Sequence, residues 1–176
     1  MRSRFMLVPI VSVIASAPAL ATTYLTVEQA QALMFPGVAL SPDFRTLTGD
    51  QAKAIEKATG VNVLNRDLKV WRAAGGGWFI ADQVVGKHEY ITFAMALDKD
   101  GAVKDVEILD YRETYGDQVR HPEWRAQFLG KRYGAKLKLT DDIKNISGAT
   151  LSCLHVTDGV KRLLATHALV LAPAGG

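Results

Sequence analysis

The chain has 176 residues, with 21 basic and 18 acidic side chains and a single cysteine. That length suits one domain, and one cysteine excludes an intrachain disulfide, so a packed core must carry stability. The four histidines, at 88, 121, 155 and 167, show no ligand spacing, and Cys153 with His155 lacks the Cys-x-x-Cys-His of a c-type haem site, which argues against a structural metal or haem centre.

The N-terminus reads as a targeting segment. Arg2 and Arg4 precede an uncharged apolar run from Met6 to Pro18, and Ala19-Leu20-Ala21 has the small-x-small pattern of a signal peptidase site. The run is shorter than the roughly 20 residues a spanning helix requires. Residues 1–21 are therefore expected to be a cleaved secretory signal, which places the protein in the periplasm or at the outer face of the cytoplasmic membrane. Cleavage removes two basic residues and no acidic one, leaving 19 basic against 18 acidic. Such a balance argues against a nucleic-acid partner, which needs a basic excess on one face. The basic stretch Lys131 to Lys138 reads as a solvated surface.

Residues 22–66 are expected to be helical. Thr26-Val27-Glu28-Gln29 has capping-box spacing and opens a helix ending near Phe35-Pro36-Gly37. Thr48 to Gln51 repeats the spacing and opens a second helix through Thr59, with Gly60 as its C-cap. From Asp67 the period changes to two. Leu68, Val70 and Arg72 alternate with Lys69, Trp71 and Ala73; Gly75-Gly76-Gly77 turns the chain, and Trp78 to Val84 returns. A third strand, Glu89 to Leu97, places Ile91, Phe93, Met95 and Leu97 on one face. Asp98-Lys99-Asp100-Gly101 begins like a calcium loop but lacks the later acidic ligands, so it reads as a hairpin turn. Ala102 to Leu109 returns with Val106 and Ile108 inward and Asp105 and Glu107 outward.

Residues 112–121 are polar and irregular. Pro122 suits a helix start, and Trp124 and Phe128 lie four apart on one helix face. Ser147 is the expected N-cap of a last helix, along which Leu151, Leu154, Val160, Leu163, Leu164, His167 and Leu171 follow helical spacing. The expected fold is α+β: an antiparallel meander of about four strands with helices packed against it, in a domain spanning 67–172.

Ser147-Gly148-Ala149-Thr150 lies where a loop becomes that last helix. A helix N-terminus presents free N–H groups and a partial positive charge, which suits a phosphate. Gly148 and Ala149 leave the backbone open to close approach, and Thr150 supplies a hydroxyl. An unactivated hydroxyl is a weak nucleophile, and no base neighbours it in sequence. Taken alone, the tetrapeptide is equally a helix start with small residues.

The segment Ser147-Gly148-Ala149-Thr150-Leu151-Ser152 resembles the flavinylation motif of the FMN-binding domain family, which includes peripheral subunits of the sodium-pumping NADH:quinone reductase and of the Rnf complex. Glu113-Thr114-Tyr115-Gly116 resembles the family's Glu-Thr-Pro-Gly loop, and Trp124, Phe128, Gly130 and Lys131 follow its Trp...Phe...Gly-Lys pattern. The strand of Val106 and Ile108 fits as well, and the resemblance covers about residues 77 to 166. Three positions depart from the family pattern. Lys144 stands where an aspartate is usual, with Asp141 and Asp142 nearby; Tyr111 replaces a histidine, and Tyr115 the proline.

The resemblance implies FMN joined covalently through Thr150 as a phosphothreonyl-FMN. A dedicated magnesium-dependent flavin transferase would install it, taking FMN from FAD. N–H groups from Ser147, Gly148, Ala149 and Leu151 would face the phosphate; Glu113, Thr114 and Gly116 would line the flavin, which Tyr111 and Tyr115 could contact. Trp124, Phe128, Trp71 and Trp78 read as structural, and Cys153 as a packed small hydrophobe. No triad or acid–base pair is evident, so the implied function is an electron-transfer subunit or carrier, partnered by a membrane redox protein or a cytochrome, more than a self-contained enzyme. A cofactor-free exported binding module of the same fold and a stand-alone flavin reductase are the alternatives.

Overall fold

The computed structural model describes residues 22–172, so the expected signal segment lies outside the described residues. The first strand, β1, is Thr22–Thr23. Helix α1, Val27–Met34, starts at Thr26 with a complete capping box to Gln29. Two short strands, β2 (Leu40–Pro42) and β3 (Arg45–Thr46), precede helix α2, Gly49–Thr59, whose capping box joins Thr48 to Gln51 and whose C-cap Gly60 has φ 72°. Both helices thus begin and end where their capping chemistry predicts.

The meander follows as β4 (Asp67–Ala73), β5 (Trp78–Val85), β6 (Tyr90–Leu97) and β7 (Val103–Tyr111). The turn before β7 is organised by Asp98, whose Oδ1 accepts the N–H groups of Asp100 and Ala102, each at 2.9 Å. The sheet is entirely antiparallel and wider than four strands. Its order is β1-β7-β6-β5-β4-β2, with β3 also on β4. The three added strands have only two or three residues, too few for an alternation to register in sequence.

Short helix α3, Pro122–Arg125, has proline in its first turn, and Trp124 meets Phe128 edge-on with ring centroids 5.2 Å apart. The last helix, α4, is Thr150–Thr166, continued by a wider π turn over His167–Leu171.

Each face of the sheet buries a different core. On one side, α2 and α4 pack large side chains against Val70, Ile80, Ile91, Phe93, Met95, Val106 and Ile108. On the other, α1 lies close over Ala73, Ala81, Ala94 and Ala96, with Phe79 and Leu109. The outward residues of β7 are not simply solvated. Arg125, nearly buried, pairs with Glu107, lies 3.8 Å from Asp105 and donates to the carbonyl of Val106.

One expectation for α4 needs correction. Its N-cap is Ala149, with no side-chain cap, so Ser147 lies two residues outside the helix. Its buried face is Cys153, Val156, Thr157, Val160, Leu163 and Leu164, while Leu151 and Leu154 are 43% and 37% exposed. Gly159 lies on this face. A Cβ there would lie 2.8 Å from both the Val84 and Phe93 side chains, so the helix backbone rests on the sheet at that point. The helix face around residues 156 and 160 then turns inward.

Candidate functional site

One open groove, with a volume of about 690 Å³, lies at the start of α4. Its walls are Lys87 and His88 from the β5–β6 turn, Glu113, Thr114 and Tyr115 from the loop after β7, and Gly148 to Ser152. The two segments singled out in the sequence, 34 residues apart from Gly116 to Thr150 by number alone, therefore face each other.

The wall after β7 is fastened by side chains. Tyr111, 2% exposed, donates its hydroxyl to the Tyr115 carbonyl at 2.5 Å. Ser152 Oγ lies 2.8 Å from the same oxygen. A phenol has one proton, so Ser152 is the donor in that second bond. Burial raises the Tyr111 pKa, which keeps it a neutral donor. Tyr111 is thus a strut beneath the groove and not a group on its surface, which corrects the expectation of a ring contact; Tyr115 is 83% exposed on the rim.

Gly116 adopts φ 99°, and a Cβ there would lie 2.6 Å from both Ser152 Oγ and the Tyr111 hydroxyl. It is where the two walls touch, below the groove lining. Glu113 Oε1 accepts the N–H groups of His88 at 2.5 Å and Glu89 at 2.9 Å, tying the β5–β6 turn to the loop. Burial works to raise this carboxyl's pKa, but the amides of Glu89, His88 and Lys87 outweigh it and hold it below the ordinary glutamate value. A carboxylate collecting several backbone N–H groups is stabilised in its charged form.

The wall at α4 is built of backbone and small residues. Ile146 O accepts the Ala149 N–H at 3.0 Å, closing a turn in which Gly148 has φ 84° and open space where a Cβ would stand. The first intrahelical bond is Cys153 N–H to Ala149 O at 2.9 Å, so the amides of Thr150, Leu151 and Ser152 precede the helical ladder. Thr150 is the first helical residue and is exposed; its Oγ1 accepts from Asn145 Nδ2 at 2.9 Å. Amides outside the helical ladder, a helix dipole and Lys87 on the groove wall give this wall positive character, which suits a phosphate.

Glu113, Thr114, Gly148, Ala149, Thr150 and Leu151 line the groove. Ser147 is outside it in the turn, and Gly116 is beneath it. Lys87 and His88 escaped the sequence reading because a four-residue hairpin turn carries no signal of what it folds against. Asp141 and Asp142, near position 144, are engaged with lysines and backbone. Asp141 pairs with Lys136, and Asp142 pairs with Lys131 at 3.1 Å and caps the amides of Leu137 and Lys138.

A groove that meets a helix N-terminus suits a phosphate-bearing ligand, and its volume falls within the range of small-molecule sites. Residues 86–165 match the family model described as the FMN-binding domain, a span that begins in the β5–β6 turn, ends in α4 and contains both walls. This part of the chain is thus similar to the FMN-binding domain, and the similarity points to a flavin as the ligand of the groove. A comparison with curated proteins finds no match.

Proposed function

We propose that the domain is an exported flavoprotein whose FMN is attached covalently through its phosphate to the Thr150 hydroxyl. It would serve as an electron-transfer subunit or carrier at the outer face of the cytoplasmic membrane. The observation that carries the reading is the position of Thr150. It is the first residue of α4, exposed on the edge of the groove, with the free amides of the helix start beside it.

FMN supplies one- and two-electron chemistry, while the protein contributes position and electrostatics. On this reading the amides of Thr150, Leu151 and Ser152 would balance the phosphate charge, with Lys87 adding to the positive field. Glu113 would not act as an acid or base, because its charge is committed to the β5–β6 turn. Its role would be to hold that turn against the groove. Leu151 and Tyr115, both exposed at the rim, would cover apolar ring surface. A covalent bond keeps the cofactor from diffusing away in a compartment where free FMN would be lost.

The test is coexpression of the full chain with a flavin transferase, followed by denaturation. The expected result is a fluorescent protein band carrying the added mass of FMN less one water, absent from Thr150→Ala. Colourless denatured wild type overturns the reading, and covalent flavin on Thr150→Ala overturns the acceptor assignment. A mature N-terminus at Thr22 in the periplasmic fraction supports export; retention of residues 1–21 in the cytoplasm removes it.

A further inference from the structure

We infer that Asn145 is the positioning residue for flavin transfer to Thr150, and that the Trp124 turn sets its place. The inference rests on the reading of Thr150 as the acceptor. Asn145 Nδ2 donates to Thr150 Oγ1 at 2.9 Å across the turn that precedes α4. A threonine hydroxyl has two acceptor lone pairs and one proton. With one lone pair engaged by the amide on the loop side, the second lone pair and the O–H are left to point away from Asn145. Asn145 thus orients the nucleophile and lets the hydroxyl proton depart outward.

The donor is itself held from behind. Trp124 Nε1 donates to the Lys144 carbonyl at 2.7 Å, and the Lys144 N–H donates to Gln127 Oε1 at 2.7 Å. Gln127 Nε2 returns to the Trp124 carbonyl at 3.0 Å, closing a ring of hydrogen bonds. Both sides of the residue-144 backbone are therefore clamped to the rigid, buried Trp124–Phe128 pair. The next residue, Asn145, is presented to Thr150 from that clamp. Position 144 carries a lysine, so no carboxylate at that position helps to orient the hydroxyl. The neighbouring amide does so instead.

The chemical step conserves electrons. The Thr150 Oγ–H bond breaks and an Oγ–P bond forms to the flavin-side phosphorus of FAD. The pyrophosphate P–O bond breaks, AMP leaves with that electron pair, and the hydroxyl proton passes to a base of the transferase. Nothing is oxidised or reduced.

The experiment is a time course of flavin incorporation into the full chain, using purified transferase, magnesium and FAD. Asn145→Ala should lower the transferase kcat about tenfold, the weight of one oriented hydrogen bond, with KM for the protein unchanged. Thr150→Ser provides the second arm. Threonine is β-branched and stiff at χ1, whereas serine rotates freely, so Asn145→Ala should have a larger factor in the Thr150→Ser background. Trp124→Phe, which keeps an aromatic ring and removes the Nε1 donor, should slow transfer by a smaller factor. Both Asn145 and Thr150 are exposed, so the thermal midpoint should not move for either variant. Equal kcat for wild type and Asn145→Ala, or an identical factor in both backgrounds, overturns the proposal while leaving Thr150 as acceptor. Wild type that takes no flavin removes the acceptor reading, and this proposal with it.

Discussion

The two walls of the groove are made in opposite ways. The wall after β7 is held by side chains reaching to backbone: Tyr111 to the Tyr115 carbonyl and Glu113 to the amides of the β5–β6 turn. The wall at α4 offers bare backbone, Gly148, Ala149 and a hydroxyl, and it is held from outside through Lys144 and Asn145. The first wall is a braced frame, and the second is an open stretch of backbone with an exposed hydroxyl. On the proposed reading, a transferase would need access to the second and would not need the first to move.

That contrast can be broken most severely at Gly116, where the walls touch. Gly116→Ala forces a side chain into positive φ and into the Tyr111–Ser152 pair, and should cost about 2–4 kcal/mol by denaturant titration. A cost below 1 kcal/mol would show that the walls separate freely. Tyr111→Phe tests the frame alone. It leaves Ser152 Oγ and the Tyr115 carbonyl without the phenol, and should cost about 1–2 kcal/mol.

Glu113→Gln gives a smaller effect with a defined pH signature. The folded pKa of Glu113 is depressed, so protonation favours the unfolded chain. The stability contributed by the carboxylate is complete above the ordinary glutamate range and is lost as pH falls through the depressed value. The difference in thermal midpoint between wild type and Glu113→Gln should therefore be present at neutral pH and close in acid. A difference that persists or widens in acid would place the interaction elsewhere. Ser147→Ala should have the smallest effect, within about 0.5 kcal/mol of wild type, because Ser147 caps no helix; a true N-cap serine costs about 1 kcal/mol when removed.

The two capping boxes, the four long strands, the Asp98 turn and the proline start of α3 were legible because each depends on neighbours within a few residues. The start of α4 was not. Ser147 has the right chemistry for an N-cap, but the turn from Ile146 to Ala149 closes through backbone, and the helix begins after it. Of the residues spaced along α4, Val160, Leu163, Leu164 and Leu171 are buried, while Leu151 and Leu154 are exposed; Gly159 lets the helix lie close on Val84 and Phe93.

The groove divides along the same line. Two segments, Glu113 to Gly116 and Ser147 to Ser152, could be marked from sequence as belonging to one family pattern. That Glu113 faces the amides of residues 88 and 89, that Tyr111 is a buried strut, and that Asn145 reaches Thr150 from a backbone clamped by Trp124 depend on contacts between distant parts of the chain. Local chemistry determined where most elements begin, where they turn and which residues carry reactive groups. Only the packing of α4 and the β7 loop against the sheet decided which of those groups meet, because hydrogen bonds between loops are set by where rigid elements hold their ends.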